Sequence, residues 1–173
     1  MNIIIISIYI LLLLFAFALF VFVLYTFYAM IVAAPFLPTD MKNVRKMIEL
    51  ADPKPGETVM DLGSGDGRIL LEAAKTGALC VGIELNPFLY VWSKLRVAFS
   101  KYKNIEIHRQ DLWSTRLYDV EVLTLFFIAF RMEKLGKKIK QEMVPGTRVI
   151  SYGFRFPGWE PVKKIDKVYL YIV

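Results

Sequence analysis

One short stretch has the residue types and spacing of a ligand-binding turn: Asp61-Leu62-Gly63-Ser64-Gly65-Asp66-Gly67. Glycines at such a turn let the backbone approach a ligand with no Cβ in between. A dinucleotide fingerprint needs glycine at position 68, where Arg68 stands, and a phosphate-binding P-loop needs Gly-Lys-Ser/Thr, which is absent. Asp61 and Asp66 bracket the loop, and paired carboxylates repel a pyrophosphate. They suit a ligand that carries an amine and a sulfonium. Glu84 closes the next apolar stretch, where a carboxylate can accept both hydroxyls of a ribose. Asp111 follows the third, where it can accept from an adenine amino group. Each acid alone would be an ordinary solvated loop carboxylate. Three at successive strand ends form a set, because strand carboxyl ends frame the ligand crevice of an α/β sheet.

The elements needed to hold these residues are legible around them. Thr58 to Asp61 reads as a buried strand, Arg68 to Lys75 as a helix closed by Gly77, and Leu79 to Glu84 as a second strand. Asn86-Pro87 is a helix cap followed by proline at the first helical position. Phe88, Val91, Trp92, Leu95 and Phe99 are predicted to form that helix's apolar face. Ile105 to His108, Val120 to Phe127 and Thr147 to Tyr152 read as three more strands, with a helix on Met132, Leu135 and Ile139 before the last. Val162 to Ile165 and Val168 to Ile172 read as a hairpin around Asp166. Ahead of the loop, Met41, Val44, Met47, Ile48 and Ala51 recur at helical spacing, and Pro53 and Pro55-Gly56 end that helix. The alternation predicts a Rossmann-like, doubly wound parallel α/β sheet ending in an antiparallel hairpin.

The remainder of the chain is of another kind. Of its 173 residues 56% are hydrophobic, yet all 22 basic and 16 acidic residues lie beyond position 34. A span needs about 20 apolar residues, and Ile3 to Ala34 exceeds that without a charge. Residues 1–34 are therefore expected to form a transmembrane helix, with Tyr25 and Tyr28 as interfacial anchors, and residues 35–173 a single domain. A cleaved signal peptide would want a basic start and a shorter apolar core. Pro35 and Pro38 mark the linker. Lys42, Arg45 and Lys46 follow closely, and the positive-inside tendency then places the domain on the cytoplasmic side of a cell membrane. One cysteine, Cys80, excludes a disulfide framework and reads as core; one histidine, His108, makes a histidine metal site improbable, and no metal is expected.

The loop, together with Glu84-Leu-Asn-Pro87, resembles the class I S-adenosylmethionine (SAM) methyltransferases. It is similar in particular to the membrane-anchored mitochondrial protein-lysine methyltransferases that act on the ATP synthase c-subunit and the adenine nucleotide translocase. The likeness runs from about Pro38 to the C-terminus and includes Asp111-Leu-Trp113, Pro145-Gly146 and Arg155-Phe-Pro157 with Trp159. It implies that Asp61, Gly63 and Gly65 hold the methionine part of SAM, Glu84 the ribose, and Asp111 with Leu112 the adenine edge. Many amino-methylating enzymes carry Asn/Asp-Pro-Pro-Tyr/Phe after the fourth strand, where this chain has Phe127-Ile-Ala-Phe130. Methyl transfer needs an aligned, neutral amine, and an aromatic channel favours the neutral form by desolvation. Phe127, Phe130, Tyr152 and Trp159 are the candidates for its walls, with Phe126, Phe154 and Phe156 beside them. No general base is assigned. The expected partners are the lipid bilayer and a membrane-protein substrate, and no nucleic acid. A methyltransferase for a lipid, quinone or other small membrane molecule, and a non-catalytic SAM-binding scaffold, fit the same residues. Lys134, Lys137, Lys138 and Lys140 read as a solvated helix face or as a surface for anionic headgroups.

Overall fold

The computed structural model describes residues 3–32 and 37–173. Helix α1 (Ile3–Val32) is followed by α2 (Met41–Ala51), β1 (Thr58–Leu62), α3 (Arg68–Ala73), β2 (Leu79–Glu84), α4 (Pro87–Ala98), β3 (Ile105–Arg109), β4 (Val122–Phe126), α5 (Met132–Glu142), β5 (Arg148–Tyr152), β6 (Lys163–Ile165) and β7 (Val168–Ile172). One seven-stranded sheet runs β3-β2-β1-β4-β5-β7-β6. Its first five strands are parallel, and β7 pairs antiparallel with both β5 and β6. The predicted sheet and terminal hairpin are both present.

Strand alternation divides the core between two faces. Val59, Val122 and Ile150 face Val44, Met47 and Leu70 of α2 and α3, whereas Leu62, Leu125 and Val149 face Met132, Leu135 and Ile139 of α5. Gly136, which weakens the helical pattern of α5, has a packing reason: a Cβ there would stand 3.1 Å from the Phe156 ring. Asp40 caps α2 through its side chain, and Asn86 caps α4, with Pro87 as the first helical residue.

In α1, Ile3–Tyr28 is long and apolar enough to cross a membrane, with none of its most apolar window buried against the domain. The predicted end of this segment at Ala33, Ala34 and Pro35 lies outside the described residues. Helix α4 carries the predicted apolar face, but outward: Phe88, Val91, Trp92 and Leu95, with Phe99 at its C-cap, are all exposed. The helix instead turns Ser93 inward, where it is fully buried close to the loop glycine Gly67. A bulkier stripe could not lie that near the loop, so the smaller side of the helix faces the sheet.

Candidate active site

The site lies at the carboxyl ends of β1, β2 and β4, beside the point where the chain passes from one side of the sheet to the other. Asp61 and Thr124 are register partners across β1 and β4 and point to the same face. The Thr124 hydroxyl donates to Asp61 Oδ1 at 2.8 Å. Asp61 is 1% exposed, and its Oδ2 has no hydrogen-bond partner among the described residues; Ser64 Oγ is likewise buried and unpartnered. Burial, opposed by the Thr124 bond and reinforced by the charges of Glu84 and Asp66, pushes the Asp61 carboxyl up to about 7.

The loop is stitched to β2. Gly63 and Ser64 both donate their N–H to Ile83 O, at 2.9 and 3.0 Å. Glu84 Oε2 accepts from Gly65 N at 2.8 Å and Oε1 from Asn86 N at 2.7 Å, while burial raises its carboxyl above the usual range. Each oxygen keeps a lone pair for a further donor. Gly63, Gly65 and Gly67 all have positive φ, and a Cβ built on Gly63 would meet nothing within 4 Å, so that position opens on free space.

Asp66 also lines the cavity, but its carboxylate is held by the protein's own cations. Both its oxygens are taken by arginines: Arg68 binds bidentately at 2.8 and 2.7 Å, and Arg96 approaches at 2.5 Å. Arg68 also donates to Thr39 O at 2.8 Å, which ties the loop to the segment before α2. These bonds hold the Asp66 carboxyl below its ordinary range against the effect of burial.

The cavity above the loop is lined by Asp61, Gly63, Gly65, Glu84 and Leu112 of the expected set. Asp111 is not part of the lining; its Oδ1 accepts from Trp113 N at 3.0 Å, and Gln110 lines the cavity instead. Of the aromatic candidates, Phe127 lines the cavity, together with Phe126. Tyr152 stacks edge-on against Phe126 at 5.0 Å, and Phe130 is 77% exposed on a single turn of 3-10 helix after β4. Trp159 stands apart, against Phe156 and Tyr171 in a separate groove beside α5. Thr26 of α1 also borders the cavity. Thr124, Ser64, Asn86 and Gln110 are site residues that sequence reasoning does not single out. Only Asn86 carries a signal, and it reads as a helix cap.

Two buried carboxylates, an unpartnered oxygen on Asp61, an unpartnered hydroxyl on Ser64 and free space at Gly63 fit a ligand with a cationic end, a ribose and a flat apolar base. The sheet order is that of the class I SAM-dependent methyltransferase fold. Residues 61–163 match the ANTKMT methyltransferase domain, and the chain belongs to that family. It is 35% identical over 145 residues to the mouse (Mus musculus) lysine N-methyltransferase of the ATP synthase c-subunit, a match that covers 81% of this chain and 58% of that protein. It is also 35% identical over 155 residues to a protein-lysine N-methyltransferase of Saccharolobus islandicus (strain REY15A), covering 80% of this chain and 93% of the relative. The chain thus spans little more than half of the mouse protein and nearly all of the archaeal one. A crystal structure of an RNA methyltransferase from Salinibacter ruber with S-adenosyl-L-homocysteine superposes with a TM-score of 0.77 at 33% identity, covering 79% of this chain and 94% of that one.

Proposed function

We propose that the protein is a membrane-anchored protein-lysine methyltransferase, with α1 as its anchor and residues 35–173 as the catalytic domain on the cytoplasmic side. The observation that carries this reading is the composition of one cavity, which has Asp61 and Glu84 in its walls and Thr26 of the charge-free helix α1 on its border. The lysine specificity is supported by the relatives of this name, and the orientation by Lys42, Arg45 and Lys46 after the span.

The bound cofactor supplies an electrophilic methyl group on a sulfonium. Asp61 and Ser64 would hold its amino-acid end, Glu84 its ribose, and Leu112 its base. Asp111, behind the cavity wall, would fix the turn that carries Leu112. Phe126 and Phe127 exclude water from the approach to the methyl group, which lowers the pKa of an incoming lysine and delivers it as the neutral amine. Alignment and desolvation are the contributions asked of this chain.

The test is incubation of the full-length protein with labelled SAM and a solubilised membrane fraction, with total RNA in parallel. Label in protein, recovered as methyl-lysine after hydrolysis, supports the proposal. Label in the lipid extract or in RNA overturns it.

A further inference from the structure

Helix α4 presents its largest apolar side chains outward. Phe88, Val91, Trp92 and Leu95 of α4, with Phe99 at its C-cap, stand at i, i+3, i+4, i+7 and i+11 and form one stripe. They are exposed by 37, 53, 56, 47 and 91%. Apolar residues scattered singly on a surface need no explanation, but five large ones in a row on one helix do.

Three observations identify what covers them. The first is continuity with α1. The Phe88 ring meets Phe22 of α1 edge-on, with centroids 5.2 Å apart. Tyr25, an expected interfacial anchor, follows Phe22 by about one helical turn. The stripe therefore begins at the depth of the bilayer surface. The second is charge. Residues 87–104 contain no acid but carry Lys94, Arg96, Lys101 and Lys103. Arg96 turns inward to Asp66, whereas Lys94, Lys101 and Lys103 are exposed. Lysines bordering an apolar stripe suit anionic headgroups. The third is the presence of Trp92 within the stripe, an aromatic type that concentrates at membrane–water interfaces.

We infer that α4 is an interfacial membrane helix, lying in the plane of the bilayer with Phe88, Val91, Trp92, Leu95 and Phe99 buried among lipid. This rests on the reading of α1 as the anchor. It gives the domain two attachments, one spanning and one flat, which fix its tilt. On α5, by contrast, Lys137 and Lys138 pair with Glu133 and Glu142 at 2.7 and 2.6 Å. Because Asn86, which caps α4, and Leu89 within it both line the cofactor cavity, a flat α4 sets the cavity mouth at the headgroup level.

The test uses the full chain in phosphatidylcholine/phosphatidylglycerol vesicles, with single nitroxide labels on Cys introduced at Val91, Leu95 or Phe99, at Lys137 on α5, and at Leu14 in α1. The buried native Cys80 is left in place, with the unsubstituted protein as its labelling control. Collision with oxygen is compared with collision with a water-soluble nickel complex. The α4 labels are expected to favour oxygen as lipid-buried sites do, and the Lys137 label to favour nickel. Water-like values on α4 with a lipid-buried Leu14 label overturn the inference and leave the anchor standing. A water-like Leu14 label overturns the anchor, and the inference with it. Protection of α4 from both reagents means a protein occupant, such as a second copy, and also overturns it. In the same vesicles, Val91→Glu with Leu95→Glu is expected to lower methylation of an embedded substrate about tenfold while SAM affinity stays unchanged. An unchanged rate overturns the inference.

Discussion

At the residue scale the site turns on Asp61. Its ligand-free carboxyl is protonated below about 7, because burial penalises the charge. Its stabilising effect on the ligand-free fold is complete below the unfolded carboxyl's 3.8 and is lost as pH rises through about 7. A cationic ligand selects the ionised form, so cofactor affinity is expected to rise from pH 6 to 8, with proton release visible by calorimetry in buffers of different ionisation enthalpy. Asp61→Asn should flatten that pH dependence and weaken binding by about 1.5–3 kcal/mol, ten- to hundredfold in Kd. Near-normal affinity in the folded variant would remove Asp61 from the site. Asp61 and Glu84 are legible in the sequence because acids recur at successive strand ends, which frame the crevice of an α/β sheet. Thr124 and Ser64 are not, since a hydroxyl inside a strand or turn is commonplace and only register brings Thr124 to Asp61. Gly82 escapes notice for the same reason. A Cβ there would stand 2.6 Å from Leu70 Cδ1 and 2.8 Å from Ser64 Oγ. Gly82→Ala should therefore cost about 1–3 kcal/mol of stability and displace the loop, measured as a lower urea midpoint together with weaker SAM binding.

At the element scale, alternation and capping predict the strands and most of the helices closely, because short buried strands and Asn-Pro or glycine punctuation leave little freedom. In helix α4 the apolar stripe is legible but its direction is not, because both sides of the helix are apolar. Periodicity finds a stripe but cannot say which stripe the sheet accepts. The third dimension decides it, where Ser93 fits beneath the loop and Arg96 reaches Asp66 O at 2.8 Å. The clamp on Asp66 is likewise invisible in one dimension, because sequence shows a carboxylate in a loop and not the arginine 30 residues away. Helix α5 offers a contrasting test. Gly136 faces the Phe156 ring, itself held by Tyr171 at a centroid distance of 5.0 Å. Gly136→Val should destabilise the fold by about 1–3 kcal/mol through overpacking. SAM affinity should stay unchanged, since this contact lies in the core layer beside α5, away from the cofactor cavity. A loss of affinity in step with stability would couple α5 to the cofactor site.

At the scale of the whole molecule, the proposed anchor bears on which targets the site can reach. An open site gains selectivity from where it is held. Under the proposed anchoring, a short tether would keep the cavity mouth near the bilayer and raise the effective concentration of amines at that depth. The geometry is testable by lengthening the tether while keeping every site residue. Twenty Gly/Ser residues inserted ahead of Leu37 would add about 25 Å of root-mean-square reach, comparable with the hydrocarbon thickness. If the proposed anchor positions the site, methylation of lysines near the surface of embedded proteins should fall several-fold, since effective concentration drops roughly as the −3/2 power of tether length or faster. The rate on a soluble lysine peptide should not change, because the cofactor loop and its clamps are untouched. The loss should deepen when Val91→Glu and Leu95→Glu are added, as the interfacial helix then no longer compensates for the slack tether. Equal rates on embedded substrate for short and long tethers, with and without those substitutions, would mean that selectivity resides in contacts around the cavity mouth, and Phe126, Phe127 and Phe130 would be the residues to vary next.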